Sequence, residues 1–459
     1  MTSAHTNSPW LVGIARRSIT PTLDVELAGL GYYLNRTGQR VRDDLMATAL
    51  AIESTQGGCT AIVALDILYV NEEFVRDVRE QVAARTTIPK HAICINCSHS
   101  HNAPTIARVL GVGEVDVSYV QFTTKQTVEA IVHAWQVRQP ATLRVGANEV
   151  ANYTFNRTRD NGPVDTRLSV LRADTLAGQP LAVAFNFHSH LTAHLETDLH
   201  AISRDWPGEV IDQLEATLPG VMAIYLQGTC GDVMLSPAFN STDRRFEPAQ
   251  AIAHATLEAM ENSRLVSGHT IHGVTTIVRL PTRRWTQEEI DRDRKEGLYR
   301  LETGDTKDWL DGFARVIVTY PERLPLRYGG SVEKTVLAVS RFAVEWTDYI
   351  LPTLNTCPEY IDVEVQAIRI GDVLFAIHPA ELFSTLGLAI RTNAPTKDLF
   401  VLGYSNGSVG YLPDAYDIER KSYAADQSPK FTGQFPFTAE SGEALVTGLL
   451  ETLQRIATG

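Results

Sequence analysis

Short apolar runs alternate with longer amphipathic stretches over the first 280 residues of the chain, a pattern that predicts strands and helices in turn. Gly58–Asp66 is an apolar run behind a Gly-Gly turn and reads as a buried strand. Asn71–Ala84 has helical spacing and charge, and Ala92–Cys97 is the next buried strand. Val117–Val137 reads as a long amphipathic helix, and Leu181–Phe187 and Val221–Leu226 as further core strands. Alternation of this kind predicts an α/β fold of layered sheets covered by helices. From Arg283 to Asp311 the character changes, and Trp285-Thr286-Gln287-Glu288-Glu289 carries a capping box with Thr286 as N-cap. Residues from about 285 to 350 therefore read as a helical insertion or lid. Strands resume at Asp362–Ile370 and Val373–Ile377, and Ser441–Ile456 is a closing helix. No Pro- or Ser-rich linker divides the chain, so residues 1–459 read as one large domain.

Charge narrows the function. Acidic residues number 54 against 41 basic ones, a formal net charge of −13. That argues against non-specific nucleic-acid binding and against a polybasic membrane anchor. No run of about 18 apolar residues predicts a membrane span. Five sparse cysteines and a first segment without an apolar signal core lead us to expect a cytoplasmic protein. A small-molecule substrate is the expected partner, with a homo-oligomer left open.

Chemistry concentrates where apolar strands end. Cys94 and Cys97 sit three apart on a strand and face opposite sides, so they cannot share a metal there. His99 and His101 are two apart, share a face, and open a loop turned by Pro104. That position suits a crevice site. His188 and His190 follow Leu181–Phe187, ahead of His194, Glu196, Asp198 and His200. His190 and His194 have helical metal-ligand spacing, although solvated loop positions are expected for His194, Glu196 and His200. Pro207 marks the first turn of a helix opened by Ser203-Arg204-Asp205. Gln227–Val233 is a glycine-rich loop without the lysine of a phosphate-binding loop, and Cys230 within it is expected to be a buried, inert residue. Glu381 lies past an apolar strand, as a metal ligand or as a first-turn glutamate favoured by the helix dipole. Tyr404, Tyr411, Tyr416 and Tyr423 sit in or after a Gly/Ser loop.

Taken in order, several segments resemble the neutral ceramidase family: Ser98-His99-Ser100-His101-Asn102-Ala103-Pro104, Asn156-Arg157-Thr158, His188 with Ser203-Arg204-Asp205, Gly231-Asp232-Val233, Pro379-Ala380-Glu381-Leu382, and Ser405-Asn406 with Tyr411 and Tyr423 twelve apart. The opening Val12-Gly13-Ile14-Ala15 and Ile19-Thr20-Pro21 are similar too. The resemblance spans the chain and implies a ceramidase-like catalytic domain of layered mixed sheets covered by helices. It implies a zinc amidase in which His99, His188, Glu381 and Tyr411 hold Zn2+ and His101, Arg157 and Tyr423 act on the substrate, with the choice between His99 and His101 as ligand left open. Met234 stands where the family has a serine, which favours water as the nucleophile over a covalent acyl-enzyme. The chain ends without the family's C-terminal immunoglobulin-like domain, and a smaller soluble amide is the expected substrate. Two other readings are a zinc enzyme that polarises a carbonyl for ester hydrolysis, elimination or isomerisation of a sugar-like compound, and a non-catalytic ligand-binding relative.

Overall fold

A computed structural model of the chain describes residues 8–457, apart from 32, 34, 112–113, 194–197, 240–243, 245 and 311–320. Two sheets stack face to face. The larger contains β1 (Trp10–Ser18), β2 (Met46–Ser54), β3 (Cys59–Leu65), β4 (Ile93–Cys97), β5 (Gln139–Glu149), β6 (Arg167–Thr175), β7 (Pro180–Phe187) and β8 (Met222–Gln227). Their order is β8-β7-β6-β5-β1-β2-β3-β4, and the short strand Arg264–Leu265 pairs with β5. The smaller sheet runs β9 (Ile271–Pro281), β10 (Tyr360–Ile370), β11 (Val373–Ile377) and β12 (Leu399–Leu402) in that order. Parallel pairs (β3 with β4, β7 with β8, β11 with β12) sit among antiparallel ones, so both sheets are mixed.

The two-residue period of the strands explains the layering. On β2, Ala47, Ala49 and Ala51 face the helices Glu72–Arg85 and Val117–Gln136, while Leu50 and Ile52 face the other sheet. Cys94 and Cys97 divide in the same way, Cys94 into the space between the sheets and Cys97 under the helices, as their spacing predicts. Between the sheets, Phe375 and Phe400 stack at 4.6 Å and are both fully buried. Each such ring contributes about 1.5–3 kcal/mol by burial. Helices Asp205–Thr217 and Glu247–Glu261 cover the β6–β8 side, and Ser384–Asn393 with Ser441–Ala457 cover the smaller sheet. The result is four layers, helix, sheet, sheet, helix.

Element boundaries follow local chemistry. Asn71 caps its helix by accepting from the Phe74 N–H at 2.9 Å. The capping box is present: Thr286 accepts from the Glu289 N–H, and Glu289 accepts from the Thr286 N–H at 2.8 Å. Helices Gln287–Thr303 and Val332–Ile350 follow it. Trp285, Ile290, Phe342 and Trp346 bury into the main apolar cluster, so this region is anchored to the core. Among the described residues, no helix is long and apolar enough to cross a membrane.

Candidate metal centre

Strand ends from both sheets converge at one place. His99 and His101 follow β4, His190 follows β7, Glu381 follows β11 and Tyr411 follows β12. Nitrogen donors therefore come from the larger sheet and oxygen donors from the smaller. Glu381 is not in a helical first turn. It belongs to a two-residue strand, Glu381–Leu382, paired in register with Tyr411–Leu412, and this ladder sets the carboxylate beside the phenol. The helix starts only at Ser384.

His99, His101 and His190 bring ligand atoms within 4.8 Å of one another, a group that can hold a metal ion. Each ring is oriented by a backbone carbonyl at Nδ1: Leu68 for His99 at 3.3 Å, Gly29 for His101 at 2.7 Å, Val233 for His190 at 3.1 Å. A carbonyl only accepts, so each Nδ1 carries the proton and each Nε2 presents a lone pair to the centre. Those lone pairs crowd together. His99 Nε2 is 3.2 Å from His101 Nε2 and 3.2 Å from Glu381 Oε2, and His190 Nε2 is 3.6 Å from the same oxygen. Glu381 Oε2 is buried, and among the described residues none donates to it with hydrogen-bond geometry. Acceptors facing acceptors in a dry site are repulsive unless a cation lies among them. Donor separations of about 3.3 Å are also what tetrahedral zinc with bonds of about 2.0–2.1 Å imposes. The residues fit a bound metal.

Surrounding groups hold these donors. Tyr69 donates its hydroxyl to Glu381 Oε1 at 2.8 Å. Burial keeps the Tyr69 phenol far above its ordinary pKa, so it remains a donor. Tyr411 OH lies 3.3 Å from His190 Nε2 and accepts from Arg157 Nη2 at 2.5 Å. Burial, then the neighbouring rings, pushes His101 well below its usual value, and burial with Arg157 pushes His190 down to about 4. Neutral imidazoles are the form a metal needs. His99 itself has φ +66°, a left-handed conformation that costs a non-glycine residue free energy and is typical of functional loops. At Gly29 a Cβ would lie 2.6 Å from His101 Nδ1, so the backbone can reach that ring only without a side chain.

Arg157 is placed by a clamp. Asp232 accepts from Asn156 Nδ2 at 2.6 Å, from Ser384 N–H at 2.7 Å and from Ser384 Oγ at 2.8 Å. It ties the Arg157 loop to the Glu381 segment. Arg157 also donates to Gly231 O at 2.8 Å, and its Nη1 lies 3.8 Å from Met234 Sδ. The glycine-rich loop thus packs against the site. Cys230 is buried with its Sγ 3.0 Å from Tyr404 OH, and burial raises its pKa far above that of a reactive thiol. Tyr423 lines the cavity beside the donors, in a π-helical turn Tyr423–Gln427. π-Turns recur at functional sites.

The structure places His188 elsewhere, and His190 stands where the motif reading put it. His188 Nδ1 accepts from the Thr229 N–H at 2.9 Å, and its Nε2 lies 3.3 Å from Asp165 Oδ2, which is itself paired with Arg391 at 2.8 Å. Both nitrogens are occupied and the ring is fully buried, so it has no lone pair for the cluster. Thr229, His188 and Asp165 form a hydroxyl–imidazole–carboxylate row, but all three are buried, and Gly387 presses on the Thr229 hydroxyl. His200 bonds Thr37 O and Tyr33 OH, away from the cluster, while His194 and Glu196 lie outside the described residues. Tyr69 is absent from the motif reading, since nothing local to that tyrosine marks it.

No protein-family model matches the chain, and no curated protein matches it. Among solved structures, it is similar to the neutral ceramidase from Pseudomonas aeruginosa, with a TM-score of 0.73 and 16% identity over 98% of this chain and 75% of that one. A ceramidase complexed with C2 gives a TM-score of 0.71 and 17% identity over 98% of this chain and 76% of the other. The class is therefore an α/β protein with the layered fold of a ceramidase catalytic domain. In particular, the fold is that of the neutral ceramidases, which is what the ordered motifs imply.

Proposed function

We propose that the chain is a zinc-dependent hydrolase that cleaves an amide, N-acyl bond with water, acting on a smaller and more soluble substrate than ceramide. The observation that supports this most directly is the buried Glu381 Oε2, without a hydrogen-bond donor among the described residues and facing the imidazoles of His99 and His190 from two strand ends. His99, His190, Glu381 and Tyr411 would hold the zinc, with His190 in the position first expected of His188. Bound zinc supplies a Lewis acid and a water that ionises near neutral pH. Around it, the Arg157 guanidinium and the Tyr423 hydroxyl are placed to stabilise negative charge growing on the carbonyl oxygen. His101, neutral with its Nε2 lone pair toward the centre and 3.2 Å from His99, is placed to take a proton from the attacking water and pass it to the departing nitrogen. Met234 in the loop beside Arg157 offers no nucleophile, which supports attack by water.

The test is metal analysis of the purified protein with turnover of N-acyl amides before and after chelation. One tightly held zinc and activity lost on chelation, restored by zinc, is the expected result. A protein that holds no metal and keeps its turnover in chelator overturns the proposal. Parallel esters and sugars separate amide hydrolysis from the other carbonyl reactions.

A further inference from the structure

The donor atoms of His99, His101 and Glu381 face a cavity of about 50 Å³. Pockets for drug-sized ligands run to about 300–1,000 Å³, while each water needs about 10–15 Å³. The space beside the donors is therefore worth a few atoms. Its remaining wall sets the apolar Leu68, Val109 and Phe431 among the hydroxyl groups of Tyr69, Tyr411, Tyr423, Ser428 and Thr432, with Gly29 and Gly31 alongside. Phe431 sets the depth. A Cβ on Gly31 would lie 2.5 Å from Phe431 Cζ, so the ring rests on bare backbone there.

The ring is also held from behind. Phe342, on the helix Val332–Ile350 of the insertion, stacks on Phe431 at 4.8 Å and 29°. Phe431 O accepts from the Leu110 N–H at 2.7 Å. Its neighbour Lys430, 3% exposed, bonds Asp293 on the insertion's first helix at 2.6 Å and Gln427 at 2.8 Å. Phe431 cannot swing aside without breaking contacts on three sides.

We propose that this cavity is an acyl gauge: it admits a formyl, acetyl or propionyl group and excludes long acyl chains, with Phe431 as the specificity-determining residue. The proposal rests on the amide-hydrolysis reading of the same site. In that reaction water oxygen bonds to the carbonyl carbon, the C–N bond breaks, and a proton passes to the nitrogen, giving a carboxylic acid and an amine. At neutral pH the amine leaves as an ammonium ion, which bulk water solvates better than a cavity with room for only a few waters. The amine side is therefore assigned to the solvent side, and the uncharged acyl substituent to the cavity.

The test uses the zinc-loaded protein, acetohydroxamate and octanohydroxamate, and calorimetric affinities, with turnover of acetyl, butyryl and octanoyl amides of one amine alongside. Acetohydroxamate should bind at least about 100-fold more tightly than octanohydroxamate, within the range single methylenes command in a closed pocket. Phe431→Ala and the milder Phe431→Leu should each lower that ratio at least tenfold, and amide turnover should follow the same order. Equal binding of the two hydroxamates, failure of acetohydroxamate to bind, or a ratio unchanged in a Phe431 variant with native melting would overturn the gauge. A hydroxamate ladder in the expected order without amide turnover leaves the gauge standing and removes the amidase reading.

Discussion

Separate replacement of His188 and His190 by alanine distinguishes two buried histidines that lie two residues apart. His190→Ala removes a lone pair from the donor cluster and should reduce metal affinity by more than the 10–100-fold that loss of an outer-shell partner costs. In the metal-free protein it opens a cavity as well, since His190 is fully buried, but it relieves the crowding of acceptors, so the net loss of stability should be smaller than at His188. His188→Ala should do the reverse. It leaves the buried Thr229 N–H, now bonded at 2.9 Å, without an acceptor, which costs about 1–3 kcal/mol. It also opens a cavity in a fully buried site, so the loss should total about 3–4 kcal/mol. Asp165 keeps Arg391 at 2.8 Å, which limits the damage. His188→Gln can still accept from Thr229 and should recover part of the loss. Zinc per chain after dialysis and denaturant midpoints of the chelated proteins read the two effects apart. If His188→Ala strips the metal while His190→Ala retains it, the assignment of the third imidazole is wrong.

Asp232→Asn turns an acceptor of three hydrogen bonds into a group with one donor face, and should cost about 2–4 kcal/mol while lowering kcat/KM at least tenfold through displaced Arg157; unchanged turnover in a folded variant refutes the clamp. Asp66 gives a pH signature. Burial raises its pKa to about 6 in the fold against 3.8 unfolded, despite Arg204 nearby, so its contribution is intact below about pH 3.8 and is lost as pH rises through 6. The difference, about 2 units, corresponds to roughly 3 kcal/mol. Asp66→Asn, which can still accept from the Met46 N–H, should therefore gain on the unaltered protein between pH 4 and 7 when denaturant midpoints are compared. Phe375→Ala should cost about 3–5 kcal/mol by leaving a void between the sheets, and a thermal shift within error of zero would contradict the stacking.

Much of this was legible along the chain. Strand and helix positions follow the apolar period closely: the reading Val373–Ile377 is the observed strand, and Val117–Val137 differs from the observed helix by one residue. The opposite faces of Cys94 and Cys97 follow from geometry alone. His99 with His101 was visible because a strand ends there. The third imidazole was not, because His188-Ser189-His190 leaves β7 as an extended segment and sequence does not say which ring meets Asp165 and which turns inward. At Glu381 a helix-start reading stood beside the metal-ligand one, because the two-residue ladder with Tyr411 is a contact between segments thirty residues apart. Tyr69 reaches Glu381 across 312 positions, a pairing that only the stacked sheets create.

The division of donors, imidazoles from the larger sheet and oxygens from the smaller, bears on how the molecule assembles. Neither sheet alone offers the whole donor set, so capture of a metal there would be coupled to the docking of the sheets. Metal bound only by the docked state stabilises it by RT ln(1 + [L]/Kd), about 4 kcal/mol at a thousandfold excess over Kd. The ion would then serve as a clasp at the mouth of the inter-sheet seam. In its absence the first opening should occur along that seam, with amides of β11 and β12 exchanging sooner than those of β1 and β2.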